Sequence, residues 1–500
     1  MLLDFEYRSG KLITSEINSK GDIELVYRNW RNPKKYESCL EHDPDKHPTY
    51  TTWDKKPVKL VPSYRPPRFS VYEYLDRLPE EEKKSLFAYQ EPKMFFVDIE
   101  TEILDTGFVQ PKDATSQVLT IAIVRDSNVM VIGIKPLSDK EIVRIKNQIE
   151  THFDKFDLKI NFKYISFHDR EQPEKEMLSY FFEKLVPKMP VITGWNFVGY
   201  DWTFLVNRAR RIGLKPEVSS FTKKLEEVWG TDYELPAHRL VIDYMEIYKK
   251  WDTSIKVKER NSLDWVSGKI LGVKKVDYTD EIGINTLQDL YEQKFDRYVF
   301  YNAVDTILVQ LIHQKQQYIN IAYSIANLAK IRLCDFSYKN LNTTLVQTEG
   351  FLRNDFRNLK NIVLCKDYDN VDSDSIPGGY VKPPNRGMNE YVACFDFASL
   401  YPTTQRQFFI APENFKGMVK KDNPLFADFN GVLNKIEDDD IICVNGAVFS
   451  REYSVTVKFL EDTYSDRKKH KGIMKDEYKI IAKEKEELEE LERELAELEM

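Results

Sequence analysis

No apolar stretch of this 500-residue chain is long enough to span a bilayer, and no signal peptide opens it. The expectation is a soluble, cytoplasmic protein with no membrane partner. Cysteine is sparse. Cys39, Cys334, Cys365, Cys394 and Cys443 are scattered, and none forms a Cys-x-x-Cys pair. Reduced thiols are expected, with no structural zinc. Excess positive charge is also lacking, since the formal net charge is −8. A chain that coats nucleic acid through overall charge is thereby excluded, and any such contact must use local basic surfaces. Aromatic residues, by contrast, are plentiful, with 28 Tyr and 29 Phe. They argue for a folded enzyme rather than a disordered adaptor, and the length implies several domains.

Four acidic residues organise the chain. Met94-Phe95-Phe96-Val97 is an apolar run of strand type that leads into Asp98-Ile99-Glu100. Strand alternation places Asp98 and Glu100 on one face and Ile99 on the other. Two carboxylates on one face repel unless positive charge sits between them, and hard divalent cations bound through oxygen are the usual answer. A pair of such ions can clamp the attacking and leaving oxygens of a phosphodiester. Asp201 closes the stretch Gly194-Trp195-Asn196-Phe197-Val198-Gly199-Tyr200-Asp201, a loop leading into a helix that begins near Trp202. Tyr301 and Asp305 fall one helical turn apart on the same face. Taken singly, Asp-Ile-Glu reads as a solvated strand end and Tyr301 as a packed helix residue; it is the constellation that points to chemistry.

These three stretches resemble the Exo I, Exo II and Exo III motifs of the DnaQ-like 3′–5′ exonucleases of family B DNA polymerases. Asp98 and Glu100 match Asp-x-Glu. Asn196, Tyr200 and Asp201 match Asn-x-x-x-(Phe/Tyr)-Asp. Tyr301 and Asp305 match Tyr-x-x-x-Asp. The resemblance implies two Mg²⁺ or Mn²⁺ ions per active site. Asp98, Glu100 and Asp305 would hold the ion that carries the nucleophilic water, with Tyr301 positioning that water. Asp98 and Asp201 would hold the ion at the leaving 3′-oxygen. Asn196 and Tyr200 would contact the DNA strand.

Further on, Tyr391-Val392-Ala393-Cys394-Phe395 reads as a strand ending at Asp396, followed by Phe397-Ala398-Ser399-Leu400-Tyr401-Pro402. This resembles polymerase motif A of family B, Asp-x-x-Ser-Leu-Tyr-Pro. By that resemblance Asp396 holds the catalytic metals of nucleotide transfer, and Ser399, Leu400 and Tyr401 line the site for the incoming dNTP. Upstream, Gly378, Gly379 and Tyr380 resemble the Gly-rich link that contacts template backbone. On a helix expected around Asp466-Arg467-Lys468-Lys469-His470-Lys471, Arg467 and Lys471 lie one turn apart. Such a pair suits a triphosphate, and it is similar to the Arg-x-x-x-Lys pair of the first fingers helix in T-even-type phage polymerases.

The resemblance implies an α/β multidomain protein with these parts: a small N-terminal α+β domain (1–93), an RNase H-like, DnaQ-like exonuclease with a mixed sheet flanked by helices (94–335), a connector returning to the N-terminal domain (336–385), the first part of an α+β palm (386–458) and a first fingers helix (459–500). Strands are expected over 23–27, 118–124, 129–134, 191–193 and 239–242. Residues 223–239 read equally as a hairpin that moves the primer strand or as a plain surface loop. From residue 475 the chain is a charged helix with Ile481, Leu488, Leu491, Leu495 and Leu498 on a narrow heptad-like stripe, the pattern of a seam awaiting a partner.

No Lys-x-x-x-Asn-Ser-x-Tyr-Gly motif B, no Asp-Thr-Asp motif C and no thumb are found. The resemblance therefore implies the N-terminal part of such a polymerase, either one subunit of a split enzyme, the preferred reading, or a truncation. Implied partners are DNA primer-template, single-stranded 3′ ends, dNTP and a second polypeptide with the remaining fingers, palm and thumb. A sliding clamp and a single-stranded DNA-binding protein would join through the complex. A stand-alone exonuclease and a nucleic-acid-binding repressor are the alternatives.

Overall fold

The computed structural model describes residues 1–38, 50–52, 57–66, 68–104, 107, 109–228, 231–252, 261–279, 283–328, 330–333, 361–362, 382–383, 386–388, 390–418, 437–443 and 445–498. The chain divides into two compact units, Met1–Pro33 with Pro62–Gly350, and Lys34–Val61 with Phe351–Met500. Among the described residues no helix is long and apolar enough to cross a membrane.

The first unit opens with a three-stranded antiparallel sheet, Leu2–Arg8, Lys11–Ile17 and Ile23–Asn29. Its main body is a six-stranded mixed sheet: β1 (Met94–Thr101), β2 (Val118–Arg125), β3 (Asn128–Gly133), β4 (Asn161–Ser166), β5 (Val191–Gly194) and β6 (Leu240–Asp243). The order across the sheet is β4-β3-β2-β1-β5-β6. β1, β2 and β3 form an antiparallel meander, while β4 joins β3, and β5 joins both β1 and β6, in parallel. Parallel neighbours need crossover connections, and helices supply them. β2 is apolar along nearly its whole length and is buried on both faces, as a central strand must be. The tight connection from β2 to β3 places Asp126 at φ 54°, a conformation that Asp tolerates better than most residues.

The strands expected over 23–27, 118–124, 129–134, 191–193 and 239–242 are all present within a residue or two. The segment around 223–239 contains a two-stranded antiparallel hairpin, Leu225–Glu227 with Glu234–Pro236.

Three helices position the site. Helix α1 (Asp139–His152) starts at a capping box between Ser138 and Glu141. Helix α2 (Thr203–Arg211) is tied to the sheet by Arg208, whose Nε and Nη2 each donate at 2.8 Å to the two oxygens of Glu174. Glu174 Oε1 also accepts from the Val118 amide of β2 at 2.8 Å. Helix α3 (Phe295–Gln316) is buried without interruption from Tyr298 to His313. It lacks an exposed polar face because the sheet and several helices surround it. The core between the layers is aromatic and aliphatic, with Phe181, Phe197, Trp202 and Phe204 fully enclosed.

In the second unit, Lys34–Ser38, Tyr50–Thr52, Pro57–Pro62 and Asn361–Ile362 form a four-stranded sheet. The connector strand Asn361–Ile362 pairs in parallel with Tyr50–Thr52. A three-stranded antiparallel sheet follows, with Ala447–Phe449 between Phe415–Met418 and Ile441–Ile442. Helix α4 (Leu400–Gln407) packs on helix α5 (Val455–Leu498), where Arg406 lies 4.6 Å from the Tyr464 ring centroid. The strand expected over 391–395 is not formed. Residues 391–398 are irregular, with Tyr391 100% and Phe395 90% exposed. A strand needs a neighbour to satisfy its N–H and C=O groups, and no strand among the described residues runs beside this one.

Gly194, the last residue of β5, is packed so closely that a Cβ there would collide with the Val97 carbonyl oxygen and press on the Phe197 ring. Gly194→Ala should therefore destabilise the first unit by about 1–3 kcal/mol through overpacking. A lowered thermal midpoint of the variant checks this; an unchanged midpoint contradicts the packing.

Candidate active site

Alternation along β1 sets Asp98 and Glu100 on the face that α3 covers, while Ile99 turns into the core. Asp305 comes from the buried stretch of α3. One carboxylate oxygen from each of these three residues lies within 4.8 Å of the others. Asp201 sits in a π turn, Val198–Trp202, closed by the Trp202 amide donating to the Phe197 carbonyl at 2.7 Å. Such wide turns are frequent at functional sites. Asp201 Oδ1 accepts from the Ile99 amide at 3.1 Å, which anchors it beside Asp98 but outside the close trio.

Little counter-charge offsets this crowding. Burial, with the Asp305 charge second, pushes Asp98 up to about 7, against the pull of Lys275 and Asn302. Glu100 is raised well above the carboxylate range by burial and by the charges of Asp98 and Asp305. Burial and then Asp98 raise Asp201. Burial raises Asp305, although Lys275 opposes it. Buried Asp305 Oδ1 has no hydrogen-bond partner. Three converging carboxylates, one with an orphaned oxygen, form an all-oxygen donor set of the kind hard divalent cations take.

Four residues of the site escaped sequence reasoning. Lys275 Nζ lies 2.5 Å from Asp305 Oδ2 and 4.9 Å from the Tyr301 ring centroid. Burial works against its charge, but Asp305 prevails and holds its pKa above the ordinary lysine value. Asn302 donates from Nδ2 to Asp98 Oδ2 at 2.7 Å and accepts from Thr120 Oγ1 at 3.0 Å, so Thr120 fixes the orientation of the amide. Asp243 ends β6 and caps the next helix, accepting from the Met245 and Glu246 amides with Oδ1. Its Oδ2 accepts from the Val198 and Gly199 amides and so secures the π turn. Asn302 is adjacent to Tyr301 in the motif, a signal present in the sequence. Lys275 and Asp243 reach the site only through tertiary folding.

Tyr301 is buried, and its hydroxyl hydrogen-bonds to Asp305. Asn196 is exposed with φ 59°, a left-handed position that Asn accepts readily. Tyr200 is half-buried and stacks on Phe204 at 5.8 Å between centroids. In the second unit Asp396, Leu400 and Tyr401 are exposed, and Ser399 begins α4 at φ 52°. Arg467 Nη1 donates to Ser399 Oγ at 3.4 Å, and Lys471 is exposed one turn further along α5. Among the described residues no close carboxylate group includes Asp396. Gly378, Gly379 and Tyr380 lie outside the described residues.

A mixed sheet flanked by helices, with a carboxylate trio between a sheet strand and a buried helix, defines an α/β domain built to bind divalent metal. Residues 55–254 match the profile of the DNA polymerase family B exonuclease domain, and the chain carries that domain. Over 311 residues it is 29% identical to the DNA-directed DNA polymerase of Escherichia phage RB69, covering 60% of this chain and 33% of that protein. It is 25% identical over 312 residues to the DNA-directed DNA polymerase of Enterobacteria phage T4, with the same coverage of each. A DNA polymerase of Archaeoglobus fulgidus is 23% identical over 250 residues, 48% of this chain and 29% of that one. The chain thus spans about a third of the length of the curated relatives it matches.

The raised acids set the pH dependence of stability. Their folded-state pKa values exceed those of the unfolded chain, so the native state holds protons that the unfolded state has released. Stability is complete below about pH 4 as far as these groups are concerned, and is lost as pH rises through about 7. Without metal, the thermal midpoint should fall by several degrees between pH 5 and pH 8, and less in Asp98→Asn. Adding Mn²⁺ at pH 8 should restore it in the wild type and leave Asp98→Ala/Glu100→Ala unmoved. Melting curves decide, and an equal Mn²⁺ response in the double variant would contradict the ligand assignment.

Proposed function

We propose that the first unit is a divalent-metal-dependent 3′–5′ exonuclease that proofreads DNA. The observation that carries this reading is the convergence of Asp98, Glu100 and Asp305 within 4.8 Å. In the reaction, water adds to the terminal phosphorus and the bond from phosphorus to the 3′-oxygen breaks. The shortened strand keeps a 3′-hydroxyl, and a nucleoside 5′-monophosphate is released. Asp98, Glu100 and Asp305, with Asp201 beside them, would hold two ions. Bound there, Mg²⁺ or Mn²⁺ supplies Lewis-acid stabilisation of charge on the phosphodiester oxygens. Tyr301 orients the attacking water through its bond to Asp305. Lys275 places an ammonium beside the charge that develops, and Asn302 keeps Asp98 aimed inward. Asn196 and Tyr200 hold the strand next to Asp201. Single-stranded or frayed 3′ ends are the preferred substrates. Asp98→Ala with Glu100→Ala should lower cleavage of a single-stranded oligonucleotide by orders of magnitude and leave DNA binding largely intact. Wild-type cleavage by that variant would refute the site assignment.

We further propose that the second unit contributes the motif A half of a polymerase site. The contact of Arg467 with Ser399 supports this, because it joins the triphosphate-type cation to the stretch that follows Asp396. One aspartate cannot hold two ions in the geometry that nucleotidyl transfer requires, and the sequence contains no Asp-Thr-Asp. Our reading is that a second polypeptide supplies the further aspartate. Its supports are the 391–398 stretch, unpaired among the described residues, and the apolar side chains exposed along α5, Tyr478, Ile481, Leu488 and Leu491 among them. Each such leucine would contribute roughly 1.5–3 kcal/mol if a partner helix buried it. This chain alone should not extend a primer. Addition of the second polypeptide should restore extension, with Arg467→Ala or Lys471→Ala then raising the KM for dNTP. Primer extension by this chain alone would rule out the division of the site.

A further inference from the structure

A cleft of about 640 Å³ opens between α1, the first half of α3 and residues 275–277. It borders the carboxylate site through a single side chain. Lys275 lines the cleft while its ammonium pairs with Asp305. The cleft is otherwise distinct from the acids, and its lining has the opposite charge. Lys140 and Arg144 project from α1 and Arg297 from α3. Arg144 Nη2 lies 2.8 Å from Asp296 Oδ2, which ties the two helices together at the cleft. The carboxylate of Asp277 also lines it, but accepts from the Thr279 amide and hydroxyl at 2.9 and 2.7 Å.

The floor is apolar and flat. Buried Phe300 lies beneath the Arg297 guanidinium, 4.9 Å from ring centroid to carbon, and Val276 and Val143 complete an apolar wall. Gln148 on α1 also lines the cleft, and its buried Oε1 has no hydrogen-bond partner. Cations for a phosphate and an aromatic and aliphatic surface for a base together describe a mononucleotide. The volume lies in the range of small-molecule sites.

We infer that this cleft binds a nucleoside 5′-monophosphate and receives the nucleotide that the acid site releases. The inference of receipt rests on the proposed exonuclease activity; the binding itself does not. Lys275 stands at the boundary, with its charge available to the phosphate on leaving the carboxylates.

The test uses the full chain in EDTA with deoxyadenosine 5′-monophosphate, read by calorimetry. Without divalent ions the carboxylate trio repels the phosphate, so binding reports the cleft. Lys140→Ala with Arg297→Ala should weaken binding at least tenfold, and deoxyadenosine, lacking the phosphate, should bind at least tenfold more weakly than the monophosphate. Lys140 is exposed, so Lys140→Glu serves as a second variant that does not depend on Arg297 packing, and it should weaken binding to a similar extent. Asp98→Ala/Glu100→Ala should retain the affinity of the wild type. Absence of binding, equal binding by the cation variants, or loss of binding in the carboxylate variant would each overturn the inference. Absence of nuclease activity alongside cation-dependent binding would remove the proposed function and leave the cleft as a nucleotide site.

Discussion

Repulsion among crowded, largely enclosed carboxylates is the constraint on which the rest of the first unit depends. Asp98, Glu100 and Asp305 are held where each raises the cost of charge on its neighbours, and burial raises it further. A fold that did no more than gather them would relax by turning the side chains outward. Here Asp98, Asp305 and the neighbouring Asp201 are restrained from elsewhere. Asn302 and Thr120 fix Asp98 from α3 and β2, and Lys275 and Tyr301 hold Asp305. The Ile99 amide holds Asp201. The strain is thus distributed over a central strand, its antiparallel neighbour and a helix that has no solvent-facing side.

That helix explains why the architecture is so heavily apolar around so polar a site. From Tyr298 to His313 every residue of α3 is buried, and Asn302, Asp305, Thr306 and Gln310 can lie there only because each meets a partner or a converging charge. On the other side of the site, Asp243 performs a similar service for the Val198–Trp202 turn, using both carboxylate oxygens to satisfy four amides. Its own pKa is pushed up to about 6, mainly by burial. It is a structural acid in a neighbourhood of metal-type acids, and its separation from them lies in its amide partners.

The acids themselves are legible in the amino-acid sequence. Two-residue alternation around Ile99 places Asp98 and Glu100 together, and a four-residue helical interval places Tyr301 with Asp305. Their convergence follows from three motifs in order rather than from any one of them. Lys275 is not legible, because nothing near it in sequence distinguishes it from Lys274; its importance comes from a tertiary contact with Asp305 on α3. Asp243 reads as a strand end, which it is, but its contact with the amides of residues 198 and 199 depends on β5 and β6 lying side by side. The run 391–395 has strand composition and no strand partner among the described residues, so composition alone misjudges it. Pairing is a property of two segments, and a pattern within one segment cannot supply the other.

The π turn at Val198–Trp202 carries a consequence of another kind. A turn closed from Trp202 to Phe197 holds one residue more than an ordinary helical turn, and that extra residue sets the angle at which Asp201 leaves the backbone. No change of side chain elsewhere in the turn alters that count. The position of Asp201 is therefore poorly protected against a change in length. A single-residue deletion here would rotate everything beyond it by about a hundred degrees about the helix axis.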